Sequence, residues 1–201
     1  MTKIVYDTEF IDNGTTIEPL SIGMLDETGH EYYAVFDSLP TIARAVESDW
    51  LRSNVLPWLP ITIDDPELVS EGLAYHVHWD AQHPEYPAVK PLDAIAEEVE
   101  DFVLAHPRPS LWAYYASYDH VLYAQLYGPM SELPDGMPQH TNDIKQEADR
   151  IGNPHLPKLS SSTVDKRFNG VRKVHHALYD AYEEYEQLVW LAAYERKPSA
   201  V

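Results

Sequence analysis

Two acidic residues, Asp7 and Glu9, stand two positions apart near the start of the chain. The Ile and Val that precede them predict a β-strand over residues 3–10, and residues two apart on a strand project from the same face. Two carboxylates held side by side repel each other and raise each other's pKa unless a cation lies between them. A divalent metal ion is therefore one interpretation of the pair. A polar strand end in solvent is the other.

Two further acids and a histidine follow at positions where they could join this pair. Asp119 comes after a buried-strand pattern at 111–115 and opens a predicted helix at 119–127, where a helix-capping role would also explain it. His175 stands five residues before Asp180, in the first turn of the last predicted helix. Four acids on such elements favour one site for a hard cation such as Mg²⁺ or Mn²⁺, beside an imidazole that can take a proton near neutral pH.

The elements that must position these residues predict a mixed α/β domain over residues 1–197, with a frayed tail at 198–201. Strands at 3–10, 17–25 and 31–36 have connections so short that only antiparallel neighbours are possible. Helices are predicted over 41–46, 50–59 and 91–105, from Thr141 or Asn142 to 151, and from about 176 onward. Four prolines punctuate residues 61–91, which we interpret as an inserted loop with a short extended piece at 74–79.

The composition is that of an ordinary globular chain without a membrane span. Of the 201 residues, 44% are hydrophobic, and no apolar run reaches the ~18 residues that a span requires. The chain also enters its first strand directly, without a signal-peptide pattern. We therefore expect a soluble, cytoplasmic protein. The absence of cysteine excludes thiolate ligands and a thiol nucleophile, so any metal must be held by oxygen or imidazole.

A formal net charge of −19 argues against general nucleic-acid binding, which depends on lysine and arginine. The basic residues are nevertheless concentrated at 157–175, directly before the His175 motif. We predict phosphate contacts from Arg167, Arg172 and Lys173. A solvated loop that happens to be basic is the alternative.

In this order, the motifs resemble those of the DEDD superfamily of 3′-5′ exonucleases: Asp-x-Glu on the first strand, a later Asp, and His-x4-Asp. Position 176, where another branch has tyrosine, is also histidine, so the chain is similar to the His-bearing (DEDDh, RNase T-like) branch. Within that branch, residues 1–37 and 110–192 are similar to the polyadenylate-specific 3′-exoribonuclease AS family. The segments that carry this likeness are 6–11, 31–35, 116–121, 126–129 and 175–181.

The resemblance implies a ribonuclease-H-like fold whose mixed central sheet has three antiparallel strands, then parallel strands, flanked by helices. It also implies two Mg²⁺ or Mn²⁺ ions per active site, held by Asp7, Glu9, Asp119 and Asp180, with His175 as general base. Two ions ~3.5–4 Å apart stabilise both the attacking and the leaving oxygen of a phosphodiester. The implied partner is the 3′ end of RNA and the product a nucleoside 5′-monophosphate. Adenine preference and a homodimer are implied as well.

Substrate contacts are predicted from residues near these motifs. Glu18 and Ile22 are expected to line the groove for the terminal nucleotide. Tyr114, Tyr115 or Tyr118 could stack on a base, and core packing is the alternative for each.

Three alternatives stay open at this point. The same chemistry could act on DNA, as in proofreading subunits, or the fold could serve as a non-catalytic RNA- or nucleotide-binding module. The complete set of four acids with His175 favours an enzyme. His76, His78 and His83 have a spacing compatible with zinc, but the adjacent aromatic residues favour packing.

Overall fold

The strands and helices were assigned in a computed structural model that describes residues 1–64 and 75–195. The strands are β1 (Thr2–Asp12), β2 (Ile17–Asp26), β3 (Glu31–Phe36), β4 (Ile61–Asp64), β5 (His76–Trp79), β6 (Val89–Lys90), β7 (Pro109–Ala113) and β8 (Thr141–Asp143). The helices are α1 (Leu39–Val46), α2 (Asp49–Asn54), α3 (Leu92–Leu104), α4 (Ser117–Gln125), α5 (Ile144–Arg150), α6 (Ser161–Arg167) and α7 (Ala177–Glu195).

A six-stranded mixed sheet in the order β6-β3-β2-β1-β7-β8 forms the centre of the fold. β1 pairs antiparallel with β2, and β2 with β3, whereas β7 runs parallel to β1 and β8 parallel to β7. This arrangement, flanked by helices, confirms the predicted α/β class and is consistent with a ribonuclease-H-like fold. Among the described residues, no helix has the length and apolar character needed to cross a membrane.

Alternating side chains of β1 supply both faces of the sheet. Ile4 and Tyr6 are fully buried against α3 and α4, while Val5 is buried against α5 and α7. The period of two along the strand therefore fixes which layer each later residue of β1 will meet. A third apolar cluster joins α1 and α2 to β4 and β5.

Several predicted elements differ in the structure. The expected helix over 50–59 ends at Asn54 and is followed by a 3₁₀ turn, Leu56–Trp58, because Pro57 cannot supply a backbone N–H for a continuing α-helix. Thr141 and Asn142 do not cap a helix, since they pair with β7 as part of β8. Asp143 caps α5 instead, accepting hydrogen bonds from the N–H groups of the second and third helical residues.

Within the segment 61–91, the described residues 61–64 and 75–91 are more regular than the predicted loop. β4 and β5 form an antiparallel pair, and β6 pairs with β3. The extended piece is confirmed at His76–Trp79, whereas residue 74 lies outside the described residues, as does the predicted tail at 198–201. In this segment His78 Nε2 lies 3.0 Å from Asp64 Oδ2, and His83 Nδ1 accepts a hydrogen bond from a backbone N–H.

Candidate active site

Strand β1 presents Asp7 and Glu9 on the face that packs against α7. Val5, two residues earlier, contacts this layer in a buried cluster with Leu188 of α7. Because successive side chains of a strand alternate, Asp7 and Glu9 continue along the same face. The carboxylate pair therefore points toward the first turns of α7.

A glycine allows α7 to start so close to the sheet. Gly23 of β2 lies opposite Asp7 in the β1–β2 ladder. A Cβ at position 23 would lie 2.2 Å from Leu178 N and 2.4 Å from the carbonyl carbon of Ala177. Only glycine permits this approach, which brings the start of α7 next to Asp7.

Asp119 joins the pair from the β7 side of β1, opposite to β2. The parallel ladder between β1 and β7 ends at Val5 and Trp112. Beyond that end, Asp119 Oδ1 accepts hydrogen bonds from Thr8 N (2.9 Å) and Thr8 Oγ1 (2.6 Å). The buried carboxylate of Asp119 is thus fixed beside the strand between the first two acids.

His175 and Asp180 are linked to each other at the start of α7. Asp180 Oδ2 accepts a hydrogen bond of 2.8 Å from His175 N–H, and His175 Nδ1 lies 4.0 Å from Glu9 Oε1. His175 has a φ of 67°, in the left-handed region. The neighbouring His176 is buried, and its Nε2 lies 3.1 Å from Glu85. Of the two adjacent histidines, only His175 lines the cleft with the acids.

All five of the predicted catalytic residues line one cleft of about 790 Å³. They are Asp7, Glu9, Asp119, His175 and Asp180. Small-molecule sites in proteins typically measure about 300–1,000 Å³. The cleft is therefore large enough for a nucleotide-sized ligand.

Burial and mutual repulsion raise the pKa of these acids. Burial raises the pKa of Glu9 to about 9, and the charges of Asp180 and Asp119 add to the effect. Burial also raises the pKa of Asp180 to about 7 and that of Asp119 to about 6, although hydrogen bonds oppose both shifts. For Asp7, burial comes first and repulsion from Asp119 and Glu9 second, and its pKa lies well above the ordinary range.

The residues at this site fit a divalent cation. Asp7 Oδ2 is buried and accepts no hydrogen bond from the described residues. Glu9, His175 and Asp180 offer ligand atoms that all lie within 4.8 Å of one another. Carboxylate oxygens suit Mg²⁺ or Mn²⁺, and the charge of such an ion would reverse the repulsion described above.

α7 contributes one more acid, which the sequence motifs did not identify. Glu184 lies one turn after Asp180, lines the cleft, and has a buried Oε2 that accepts no hydrogen bond from the described part of the chain. Burial, followed by the charges of Asp119 and Asp180, raises its pKa. The spacing of four between Asp180 and Glu184 places both on one helix face, and this is the signal that could have identified it.

Comparison with known proteins identifies the family. Residues 2–190 match the family described as the 3′-5′ exoribonuclease Rv2179c-like domain. The chain belongs to this family. Two curated Mycobacterium tuberculosis proteins are each 34% identical to it over 184 residues, which is 90% of this chain and 88% of the relative. They are named 3′-5′ exoribonuclease MT2234.1 (strain CDC 1551 / Oshkosh) and 3′-5′ exoribonuclease Rv2179c (strain ATCC 25618 / H37Rv).

The rim of this Rv2179c-like cleft carries exposed aromatic rings. Tyr118 is about half exposed and stacks on Phe10, with ring centroids 5.9 Å apart and an interplanar angle of 17°. Tyr115 is 60% exposed, with a φ of 57°. Tyr114 is only partly buried and packs beside the core. Trp50, which the sequence motifs did not identify, is exposed and meets the His175 ring edge-on at 4.8 Å.

The structure does not support two of the predicted groove residues. Ile22 is fully buried in the core between the sheet, α3 and α4, so it cannot contact a nucleotide. Glu18 lies outside the cleft and pairs with Arg44. For Ile22 the reason is the strand period, since Ile22 lies opposite Thr8, one residue out of phase with Asp7 and Glu9.

None of the three residues predicted to contact phosphate lines this cleft, and each side chain has an intramolecular partner. Arg167 forms paired hydrogen bonds with Glu31. Lys173 Nζ lies 2.7 Å from Glu85 Oε1. Arg172 hydrogen-bonds to a backbone carbonyl and a tyrosine hydroxyl.

Lys158, from the same basic segment, lines the cleft instead. Its side chain is 73% exposed, and Nζ lies 3.2 Å from Glu183 Oε1. Burial, followed by the positive charge of Lys158, lowers the pKa of His175 below its usual value. The segment therefore supplies one cation to the cleft, close to the imidazole.

Proposed function

We propose that the protein is a metal-dependent 3′-5′ exoribonuclease that removes nucleotides one at a time from RNA and releases nucleoside 5′-monophosphates. The observation that carries the proposal is the meeting of Asp7, Glu9, Asp119 and Asp180 with His175 in one cleft. Membership of a 3′-5′ exoribonuclease domain family supports it.

Asp7, Glu9, Asp119 and Asp180 would hold two Mg²⁺ or Mn²⁺ ions. When bound, such ions activate the attacking water and stabilise charge on the attacking and leaving oxygens. Hydrogen bonds already orient two of the acids for metal binding. Asp119 uses Oδ1 to accept from Thr8, and Asp180 uses Oδ2 to accept from a backbone N–H. Each therefore keeps one oxygen for a ligand.

His175 would act as the general base. Its lowered pKa keeps the ring neutral at pH 7, the form that can accept a proton. The ring is partly exposed at the cleft, 4.0 Å from Glu9 Oε1, so it can reach a water molecule held beside the acids. Lys158 favours the neutral ring and would bind a phosphate of the RNA strand.

The aromatic rim would hold the bases. Tyr118 stacked on Phe10, together with Tyr115 and Trp50, offers ring faces and edges at the cleft entrance. Base stacking on aromatic side chains contributes about 1–3 kcal/mol per base and tolerates any sequence. The proposed preference for adenine-rich RNA, as in the polyadenylate-specific AS family, therefore rests on the resemblance, as does the proposed homodimer. The proposed cytoplasmic location rests on the sequence pattern alone.

The test is digestion of 5′-labelled oligo(A) RNA by the purified protein with Mn²⁺ or Mg²⁺. We expect a ladder of products shortened by single nucleotides, release of AMP, and complete loss of activity in EDTA. Asp180→Asn should be inactive. Asp101→Asn, a matched change at an exposed aspartate of α3, should keep the parent rate.

Oligo(U) and single-stranded oligo(dA) of the same length separate the alternatives. Slower digestion of oligo(U) supports adenine preference. Equal or faster digestion of the DNA strand would replace the proposal with a DNA exonuclease. Tight RNA binding without any mononucleotide product would indicate a non-catalytic module.

A further inference from the structure

The loop before α7 holds His175 in a conformation that side-chain-bearing residues rarely adopt. Its φ of 67° lies in the left-handed region, which is unfavourable for residues other than glycine. Such a conformation persists when surrounding contacts determine it. One contact comes from within the site, the hydrogen bond from His175 N–H to Asp180.

Two aromatic residues that follow α1 provide further contacts to this loop. Trp58 Nε1–H donates a hydrogen bond of 2.9 Å to the carbonyl of Val174. Trp50 packs edge-on against the His175 ring, with centroids 4.8 Å apart. These contacts restrain Val174 and the His175 ring, but they do not fix the residues on either side.

Glu85 contacts the residues on both sides of Val174 and His175 with a single carboxylate. Oε1 lies 2.7 Å from Lys173 Nζ, and Oε2 lies 3.1 Å from His176 Nε2. The two partners flank Val174 and His175 in the chain. Burial alone would raise the pKa of Glu85, but hydrogen bonds from His176 and Lys173 outweigh it and lower the pKa to about 2. The carboxylate is therefore charged at neutral pH.

The second partner, His176, is itself fixed on every side. Its ring is buried and stacks on Tyr33, with centroids 4.4 Å apart and an interplanar angle of 21°. Nδ1 accepts a hydrogen bond from Tyr179 N–H in the first turn of α7. The ring proton therefore lies on Nε2, which donates to Glu85. Glu85 thus binds a residue that caps α7 and directly follows His175.

We propose that Glu85 is a positioning residue that holds His175 at the cleft through Lys173 and His176. It does not line the cleft, and it lies in the segment 61–91, to which the resemblance does not extend. This inference rests on the proposed function of His175 as general base. In this proposal Glu85 does not position the metal ligands.

The test is a double-mutant cycle with Glu85→Ala, His175→Ala and the double variant. A misplacement of about 1 Å can reduce a rate by about 10²-fold. We expect Glu85→Ala to lower kcat by about 10- to 100-fold, with KM and the Mn²⁺ dissociation constant near those of the parent. Glu85→Gln should recover part of kcat, because its amide oxygen can accept from one of the two donors. In the His175→Ala background, Glu85→Ala should change kcat less than twofold.

Glu98→Ala serves as the matched control. Glu98 also pairs with a lysine, Lys90, and with a partly buried side chain, Tyr32, but it does not line the cleft. Parent-like kcat in both Glu85 variants would overturn the inference. So would an equal loss of kcat with and without His175, because Glu85 would then act through the fold or the acids.

Histidine ring ¹H–¹⁵N spectra give a readout that does not require activity. The His175 signals are those lost in His175→Ala, and we expect them to shift or broaden in Glu85→Gln. Unchanged His175 signals would overturn the inference. Inactivity of the parent on every oligonucleotide would refute the proposed function and leave the spectra to decide the role of Glu85.

Discussion

Replacing Gly23 by alanine should damage the active site without touching any of its polar groups. Gly23 lies opposite Asp7 in the sheet, and a Cβ there would lie 2.2 Å from the backbone nitrogen of Leu178. Ordinary van der Waals contact begins at 3.4 Å, so the two backbones must separate by about 1.2 Å to reach it. Neither atom belongs to a flexible side chain that could turn away.

The displaced element is the start of α7, which carries Asp180 and follows His175. Since a misplacement of about 1 Å can cost about 10²-fold in rate, we expect kcat to fall by about 10²-fold or more. Overpacking of a core typically costs about 1–3 kcal/mol, and each kcal/mol lowers Tm by about 2–4 °C in a domain of this size. Asp7 and Asp180 would separate, so the Mn²⁺ dissociation constant should rise as well.

The assay combines oligo(A) digestion, a Mn²⁺ titration and thermal unfolding. Gly29→Ala is the control, because Gly29 has a φ of +92° in the β2–β3 turn and no atom near a new Cβ. A left-handed alanine costs about 1–2 kcal/mol, so this variant should lose similar stability and keep the parent kcat. Parent-like kcat and Tm in Gly23→Ala would refute the argument. Equal loss of activity in both variants would show that global stability alone is responsible.

Three other predictions follow from particular contacts. Lys158→Ala should raise KM for RNA several-fold and flatten its salt dependence, whereas Arg167→Ala should change neither, because only Lys158 lines the cleft; equal effects would contradict this assignment. Asp26 is buried, which alone would raise its pKa, but hydrogen bonds from Thr28 and His106 lower it below the ordinary value. The stabilisation that the Asp26 carboxylate provides is therefore complete above about pH 3.9 and is lost as pH falls toward the folded pKa. In denaturant titrations, Asp26→Asn should have a lower free energy of unfolding at pH 7, and that free energy should fall less than the parent's as the pH is lowered. Asp7→Asn should raise the Tm of the metal-free protein, because it removes an acid whose ionised form is disfavoured by burial and by the neighbouring carboxylates, and should abolish both activity and the Mn²⁺-induced rise in Tm.

The sequence was sufficient for those parts of the site that depend on local periodicity. The period of two places Asp7 and Glu9 on one face of β1, and the first turn of α7 carries Asp180. The same rule applied to β2 would have excluded Ile22, which lies opposite Thr8, and would have indicated Gly23. That inference requires the exact register between the two strands, which hairpin length alone leaves open.

Short elements and charge partners could not be predicted from the sequence, for different reasons. β6 has two residues, β8 has three, and α6 buries only Val164, so none of them shows a detectable period. The sequence identified a basic segment but not the acids that Arg167 and Lys173 meet. Their partners, Glu31 and Glu85, are distant in the chain, and only tertiary structure brings them together.

The acid cluster and the rest of the fold contribute with opposite signs to stability. Burying Asp7 and Glu184 without hydrogen-bond partners for their inner oxygens is unfavourable, and repulsion between the acids adds to that cost. The apolar layer of Val5 and Leu188 beneath them must offset it in the metal-free chain. Such local destabilisation is typical of functional sites, where an arrangement that is unfavourable without the ligand is kept because it becomes favourable when the ligand binds. For this reason, the substitutions that most stabilise the metal-free protein should be those that remove the proposed metal ligands.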